Sequence, residues 1–152
     1  MDVGNSLVVF RLDEQRFALR VGSVERIVRA VEVTPVPGAP RTVSGAIILQ
    51  GRIVPVINLR GLLGLPERAA ELSDQLVIAR TSRRTVALPV DSATVEEYAP
   101  QNVIPARQVL PPLDNVREVL RRDEESVLII DLEELLAFEQ GAHEAEVMSG
   151  GA

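Results

Sequence analysis

An internal repeat is the feature of this sequence that most constrains its fold. Residues 8–21, which begin Val-Val-Phe-Arg, align with residues 77–90, which begin Val-Ile-Ala-Arg, at a separation of 69 positions. Residues 57–63 align with residues 130–136 at a separation of 73 positions. Two matches whose separations are so similar predict a duplicated small β module with one short insertion. Chance similarity between strands rich in Val and Leu is the alternative.

Short β-rich runs, separated by Gly and Pro, fill most of the chain. Alternation of apolar and polar residues predicts three hairpins, over residues 7–21, 43–59 and 76–90. The first hairpin should have one face exposed to water, and the second should turn around Gly51. We therefore expect an all-β fold.

Proline positions and the remaining segments refine this interpretation. Because Pro cannot donate to a β-ladder, Pro55 and Pro89 should each lie at a sheet edge, a bulge or a strand start. Segments 34–42 and 99–115 are rich in Pro and should be extended and irregular. Residues 116–122 fit both a helix and a strand.

The C-terminal part of the chain carries a helix signal followed by a tail. Leucines recur at helical spacing directly after Asp131, which is a good N-cap residue. Glu133 and Glu134 lie in the first turn, where the helix dipole favours acidic side chains. A short C-terminal helix should begin there. We assign residues 6–138 to the folded part of the chain and residues 139–152 to a flexible acidic tail.

The side-chain inventory excludes several chemistries. The chain has no Cys, all sixteen of its basic residues are Arg, and aromatic residues make up only 3%. Thiol nucleophiles, disulfides, Schiff-base chemistry and the Lys of a phosphate-binding loop are therefore excluded. The single His, His143, lies in the predicted tail. We predict no catalytic residue, no metal site and no cofactor; an enzyme would need a catalytic set of carboxylates, Arg, Tyr98 and Ser or Thr.

The charge balance limits the partners. A net charge of −6 disfavours nucleic acid, because neutralising phosphates requires a basic surface. A small nucleic-acid-binding β-barrel is the alternative function for a chain of this class. No apolar run approaches the length of about 18 residues that spans a bilayer, and the N-terminus lacks a signal-peptide pattern. We expect a cytoplasmic protein without direct membrane insertion.

Residues 45–60 carry the most specific motif of the sequence. They read Gly-Ala-Ile-Ile-Leu-Gln-Gly-Arg-Ile-Val-Pro-Val-Ile-Asn-Leu-Arg, and Leu-Gly-Leu-Pro follows at residues 63–66. This segment resembles the signature of the CheW family of chemotaxis coupling proteins, in which Gly, a short strand and Arg-Gly precede Pro-Val-x-Asp-Leu-Arg. The resemblance extends over about residues 6–138, with Pro-Val-Asp at residues 89–91 in the place of the family's Val-Val-Asp.

The resemblance implies a fold of two intertwined, five-stranded SH3-like β-barrels with a shared hydrophobic core, so that residues 6–138 would form one domain of two interleaved subdomains. It also implies a non-enzymatic scaffold that joins the cytoplasmic tip of a methyl-accepting chemotaxis receptor to the regulatory domain of a CheA-type histidine kinase. The receptor tip, a helical hairpin, would lie in an apolar groove between the barrels, and the kinase would contact barrel surface of the second half. Such a protein would be recruited to a chemoreceptor array.

Two departures from the family pattern fall where the receptor would bind. The family's Arg of the Arg-Gly pair is Gln50 here, and its Glu before the Ile of the third strand is Arg26. An ion pair would be lost and Arg26 left free. Apolar residues near the motif are candidates for the groove, with ordinary core as the alternative, which we favour for Val54. The candidate receptor-binding residues are Val24, Arg26, Ile27, Gly45, Ile48 and Gln50.

Departures in the second half concern the kinase. The Gly that the family pattern places before its apolar Val-Asp run is Ala87, and the Gly near the start of the penultimate strand is Glu118. Drift at tolerated positions is one explanation. The other is a specialised protein that keeps the receptor and binds the kinase weakly or not at all. The candidate kinase-side residues are Ala87, Pro89 and Glu118.

Overall fold

The structure of the chain, a computed structural model, describes residues 5–109, 111 and 115–137. Most of these residues lie in strands. The strands are β1 (Ser6–Leu12), β2 (Gln15–Arg20), β3 (Val24–Arg29), β4 (Val43–Leu49), β5 (Arg52–Ile57), β6 (Gln75–Arg80), β7 (Thr85–Val90), β8 (Ser92–Glu97), β9 (Val103–Pro105), β10 (Val116–Arg122) and β11 (Glu125–Ile130). Two short α-helices are α1 (Leu59–Leu62) and α2 (132–137). Among the described residues, no helix is long and apolar enough to cross a membrane.

The strands form two sheets, and each sheet combines strands from both halves of the repeat. The sheet of barrel I has the order β3-β6-β7-β5-β4, and the sheet of barrel II has the order β8-β1-β2-β11-β10-β9. The first hairpin of each half therefore lies in one barrel, and the later strands of the same half lie in the other. This exchange confirms two intertwined barrels. Barrel II has a sixth short strand, β9, in addition to the five expected.

The ladders explain why the halves fold as one unit. β1 pairs with β2, and β6 pairs with β7, as antiparallel hairpins. In contrast, β2 pairs with β11 and β7 pairs with β5 in parallel. Parallel neighbours need a long crossover connection, and here each parallel pair joins one half of the repeat to the other. Neither barrel can form from one half alone.

Apolar side chains fill a shared core between the barrels and a smaller core inside each barrel. Val8, Phe10 and Leu12 of β1 enter the shared core, together with residues of β6, β7 and both helices. Leu7 and Val9 point the opposite way, into barrel II. β1 is therefore buried on both faces, and the expected water-exposed face of the first hairpin is wrong. Closure of barrel II covers that face.

Both prolines lie in strands that have a neighbour on each side, so neither strand is a sheet edge, but each proline is paired on one side only, as its missing donor requires. Pro55 lies in β5, between β7 and β4, and Pro89 lies in β7, between β6 and β5. The ladder between β5 and β7 consists of the single pair of Val56 with Ala87. So short a ladder needs few backbone donors, and the donor is what Pro lacks.

The segments left open by the sequence take definite structures. Residues 116–122 form strand β10, and part of the Pro-rich segment 99–115 forms β9, which pairs with β10. Helix α2 begins after Asp131, whose side chain accepts a hydrogen bond from the Glu134 amide at 3.0 Å, as the N-cap prediction requires. The predicted tail at residues 139–152, with its histidine, lies outside the described residues.

Candidate functional site

The candidate site begins where β3 meets the turn between β4 and β5. Arg26 donates a hydrogen bond to the side-chain oxygen of Gln50, with Nη2 to Oε1 at 2.5 Å. Beside it, Arg52 contacts the Glu25 carboxylate at 3.0 Å, and Arg80 approaches the same carboxylate at 3.9 Å. Because β3 and β4 are the two edge strands of barrel I, the contacts of β3 with Gln50 and Arg52 close the barrel.

Arg26 faces the uncharged Gln50 amide, as the two substitutions imply, but its side chain is held by a hydrogen bond and is not free. Gln50 supplies a neutral acceptor, and the hydrogen bond leaves the positive charge of Arg26 unbalanced at this contact. An ion pair is also present close by, between Glu25 and Arg52. Sequence reasoning missed this pair because Glu25 and Arg52 become neighbours only when the barrel closes.

The outer face of the β4–β5 hairpin is an apolar stripe that emerges from the shared core. Its cross-strand pairs are Val43 with Ile57, Ala46 with Pro55, and Ile48 with Ile53. The first pair packs on the shared core, and the second is half-buried. The third pair is open to solvent, with Ile48 75% and Ile53 76% exposed. We call Ile48 and Ile53 the hairpin tip.

The hairpin tip contains one predicted site residue, Ile48, and one that sequence reasoning missed, Ile53. The missed signal is the two-residue turn at residues 50–51, which places Ile53 directly opposite Ile48. Val54, for which core was favoured, is 1% exposed and belongs to the core of barrel I. Side chains that alternate along β5 thus point either into the core of barrel I or toward solvent.

Val24 and Ile27 of β3 are half-buried and pack on the margin of the shared core. Leu62 and Leu63, at the end of α1, pack on the same core and are also half-buried. These side chains provide a partly open apolar surface beside the junction of the barrels. The family resemblance places the receptor groove between the barrels, and a role of Val24 and Ile27 in binding stays a prediction.

Gly45 lies inside the fold. It is buried at a register shift in the β4–β5 ladder, and a Cβ atom there would lie 2.4 Å from the carbonyl oxygen of Thr34. The same Cβ would lie 2.8 Å from a side-chain carbon of Val33. Glycine therefore permits the close approach of the segment before the Pro-rich loop. Gly45 shapes the hairpin and offers no exposed surface of its own.

The three kinase-side candidates have contacts within the chain. Ala87 is fully buried and pairs with Val56. Glu118 accepts a hydrogen bond from Arg20 at 2.5 Å. Burial acts to lower the pKa of Arg20, but its bonds to Glu118 and Tyr98 outweigh burial and raise it. Pro89 is half-buried and borders a pocket of about 330 Å³. Binding by these residues stays a prediction.

Five charged side chains meet where the chain crosses from barrel I to barrel II. Arg60 of α1 donates to Asp13 in the β1–β2 turn and to Asp91 between β7 and β8, at 2.9 Å each. Arg68 donates to Asp91 at 2.5 Å and to Asp74 at 2.9 Å. We call this set the ionic clamp. It joins the helix after β5 to a turn of the other barrel.

The ionic clamp shifts the pKa of its members. Burial acts to raise the pKa of Asp91, but hydrogen bonds from Arg68, the Asp13 amide and Arg60 outweigh it and lower the pKa. The bond to Asp74 contributes most to the raised pKa of Arg68, and the bond to Asp13 contributes most to that of Arg60. Asp91 is therefore ionised at neutral pH, which suits a structural ion pair and not a general acid.

The assembled features suit recognition of another protein. Exposed apolar side chains beside polar contacts are typical of protein-binding surfaces. The described residues contain no group of three or more side chains that could hold a metal ion. Two intertwined barrels with an exposed apolar hairpin define the class of protein: a duplicated β-barrel with a candidate protein-binding surface.

Comparison with known sequences identifies the family within that class. A family model for the CheW-like domain matches residues 6–140. This match spans most of the chain, and the protein belongs to the CheW-like family, as the motif at residues 45–60 predicts.

Relatives and a solved structure agree with this assignment. The chain is 37% identical over 82 residues to Chemotaxis protein CheW of Thermotoga maritima, and the match spans 54% of each chain. It is 24% identical over 140 residues to Chemotaxis protein CheW of Rhizobium meliloti, covering 90% of each chain. The crystal structure of scaffolding protein TtCheW from Thermoanaerobacter tengcongensis gives a TM-score of 0.78 at 27% identity, covering 86% of this chain and 91% of that chain. The SH3-like fold and a role as a chemotaxis scaffold follow.

Proposed function

We propose that this chain is a non-catalytic coupling protein of a chemosensory array. It binds the cytoplasmic tip of a methyl-accepting chemotaxis receptor and links that receptor to the regulatory domain of a CheA-type histidine kinase. The observation that carries the proposal is the face where β3 meets the β4–β5 hairpin in a CheW-like fold. On this face the predicted residues Arg26 and Gln50 are in contact, and Ile48 lies exposed beside them.

Receptor binding uses the apolar surface between the barrels. Val24 and Ile27 pack on the shared core from β3 and remain half-buried, so each can cover further apolar surface on a partner. A helical hairpin presents apolar side chains at helical spacing, and such a ridge fits an apolar groove. Burial of these groups supplies affinity without any catalytic group.

Kinase binding is the second part of the proposal. Ala87 and Glu118 stand where glycine is expected, and both side chains are accommodated by contacts inside the chain. This accommodation favours tolerated drift at these two positions. The remaining departures, Arg26 and Gln50, lie among the receptor-binding candidates, so the specialised alternative requires that they also affect the kinase contact.

Binding titrations test the two parts separately. The full chain is titrated with a purified receptor cytoplasmic fragment and, in a second series, with the kinase regulatory domain. Ile27→Ala should weaken receptor binding at least about fivefold, since the half-buried side chain loses the apolar area that it would bury against the receptor. Val95→Ala is the matched control, because Val95 is 55% exposed on the edge strand of barrel II. A wild-type chain that binds neither fragment would reject the proposed function.

A charge-restoring double variant, Arg26→Glu with Gln50→Arg, tests the specialised alternative. A gain of kinase binding without loss of receptor binding would assign partner choice to these two residues. Strong binding of the wild-type chain to the kinase domain would reject the specialised alternative and leave ordinary coupling.

A further inference from the structure

Barrel I contains a pocket at the end opposite the hairpin tip, with a volume of about 330 Å³. The parallel strands β5 and β7 both end at this pocket, and they pair only at Val56 with Ala87. Pro89, two residues after Ala87, has no backbone N–H that could extend their ladder. The two strands therefore separate, and the space between their ends stays open. We call this space the barrel I pocket.

Apolar side chains form most of the wall of the barrel I pocket. Val31 and Val33 line it from the segment that follows β3, and Pro89 and Val90 line it from β7. Ala70, in the loop before β6, is exposed and also borders the pocket. The mouths of β-barrels are common ligand sites when apolar walls surround a few polar groups. A volume equal to that of about ten water molecules limits the occupant to a small molecule.

The ionic clamp supplies the polar part of the pocket. Arg60, Arg68, Asp74 and Asp91 all line it. Asp74 is 8% exposed, and its two oxygens accept hydrogen bonds from Arg68 at 2.9 Å and from the Glu71 amide at 2.8 Å. Because a carboxylate offers about four acceptor positions, Asp74 can accept a further hydrogen bond. The pocket therefore presents a buried acceptor beside an apolar wall.

Carboxylates outnumber guanidinium groups around the pocket. The two arginines of the clamp contact Asp13, Asp74 and Asp91, and the Glu71 carboxylate lies 3.6 Å from Arg68. Four carboxylates against two guanidinium groups leave an excess of two negative charges. A ligand carboxylate would be repelled by this excess, whereas a ligand cation would be attracted to it.

We propose that the barrel I pocket binds a small amphiphilic amine, with its ammonium group at Asp74 and Asp91 and its apolar body against Val33 and Pro89. An ammonium group has three donors and no acceptor, which matches carboxylates that have acceptor positions left. The apolar body gains free energy by leaving water. Such a site is independent of the coupling function proposed above, because it lies at the other end of barrel I from the hairpin tip.

Titration of the full chain with hexylamine, 1-hexanol and hexanoate tests the proposal, because these probes share a hexyl chain and differ in the charge of the head group. Amide chemical shifts of the labelled protein, followed by NMR at neutral pH, detect weak binding. Hexylamine should move the amide signals of Ser44, Ile57 and Val90 and bind at least about tenfold more tightly than hexanoate. Equal affinity for hexylamine and hexanoate, or no shift with hexylamine, would overturn the proposal.

Methylamine controls for attraction of any cation to this acidic chain. It carries the charge of hexylamine without the apolar body, so it should leave the amide signals at the pocket unchanged at the concentrations that saturate with hexylamine. The same shifts with methylamine would show attraction of charge alone and would overturn the assignment of an amphiphile.

A pair of neighbouring substitutions assigns the binding to the pocket. Ala70→Trp places a large side chain at the border of the pocket and should weaken hexylamine at least about tenfold. Ala69→Trp is the matched control, since Ala69 is exposed like Ala70 and does not line the pocket. Both positions are exposed, so the fold should persist in both variants. Equal affinity for hexylamine in the two variants would reject the pocket as the site.

A change of charge tests the role of the carboxylates. Asp74→Asn should weaken hexylamine at least about fivefold and leave the affinity for 1-hexanol nearly unchanged, because only the amine carries a charge. The ratio of the two affinities is measured in one variant, so a loss of stability does not change it. Glu71→Gln, at an exposed position, is a second variant that keeps the fold and should lower the same ratio about twofold. An unchanged ratio in both variants would reject the carboxylates.

The same preparation of the chain separates this proposal from the proposed function. A chain that binds the receptor fragment but not hexylamine would retain the coupling role and lose the pocket proposal. A chain that binds hexylamine in the pocket but neither fragment would do the reverse.

Discussion

The hairpins β4–β5 and β10–β11 share a backbone and differ in what their side chains do. Both contain a register shift, at Val43 and Gly45 in one and at Val116 and Glu118 in the other. Both turns begin with a residue of positive φ, Gln50 at 50° and Asp123 at 52°. The two halves of the repeat thus have the same backbone geometry at equivalent residues. Their side chains differ at the surface, where a partner would make contact.

The helices that follow the two hairpins show the same divergence. In each half, the second residue after the N-cap contacts the hairpin turn in the other barrel. Arg60 does so through Asp13, within the ionic clamp, whereas Glu133 accepts hydrogen bonds from Ser82 at 2.5 and 3.1 Å. Equivalent positions therefore hold the barrels together by a charge network on one side and by a carboxylate and a serine on the other.

Replacing Gly45 of the β4–β5 hairpin should have the largest effect on stability among the variants that compare the two hairpins. Gly45→Ala places a Cβ atom 2.4 Å from the Thr34 carbonyl oxygen and should lower the free energy of unfolding by about 3 kcal/mol. Glu118→Ala, at the equivalent position, removes a half-exposed ion pair and should cost less than about 1 kcal/mol. Urea denaturation of both variants measures the difference. Equal losses of unfolding free energy in the two variants would mean that the two register shifts are packed equally tightly.

The ionic clamp should contribute more to the free energy of unfolding than the equivalent contact of Glu133 with Ser82. Arg60→Met keeps most of the side-chain volume, leaves Asp13 and Asp91 without this donor, and should cost about 2 kcal/mol. Glu133→Gln retains an acceptor for Ser82 and should cost less than about 1 kcal/mol. Thermal and urea unfolding provide the measurement, and a larger loss in the Glu133 variant would contradict the asymmetry.

Acid should weaken the clamp through Asp91. Because the pKa of Asp91 is lower in the folded chain than in the unfolded chain, its contribution is complete above the ordinary Asp pKa. That contribution is lost as the pH falls through the lowered pKa. Asp91→Asn should therefore reduce the loss of unfolding free energy between neutral pH and about pH 3. Asp123→Asn, in an exposed turn, is the control, and an equal reduction in both variants would contradict the assignment.

Removing the contacts that close the two barrels should have the smallest effect on the free energy of unfolding. Barrel I closes through Arg26 and Gln50, and barrel II closes through an ion pair of Arg122 with Glu96. Gln50→Ala and Glu96→Gln should each cost less than about 1 kcal/mol. Added salt should shrink the cost of Glu96→Gln and leave that of Gln50→Ala nearly unchanged, because only the former is an ion pair. Salt-independent costs in both variants would contradict this distinction.

Sequence reasoning located most elements because their signals are local. Alternation identified the hairpins around Gly51 and residues 81–84, and Asp131 identified the start of α2. It failed for β9, because pairing with β10 and not local composition makes residues 103–105 a strand. It also failed for the second face of β1, since burial of both faces follows from an exchange of strands between halves.

The candidate site was predictable in part for the same reason. The motif at residues 45–60 indicated the correct hairpin, and Ile48 was identified as a groove candidate that the fold leaves exposed. Ile53 was missed because an apolar residue in a strand usually belongs to the core. Only the packed structure shows which face of a strand remains exposed. Gly45 was assigned to a partner, but its neighbour is Thr34 of the same chain.

By itself, the sequence determined a duplicated β module, its turns and its helix cap, because these depend on residues close together in the chain. Only the tertiary structure decided how the two copies exchange strands and which apolar pair stays exposed. It also decided that Arg60 meets Asp13 across 47 residues and Asp91 across 31. Contacts over such separations depend on how the barrels pack, and local propensity carries no information about that packing.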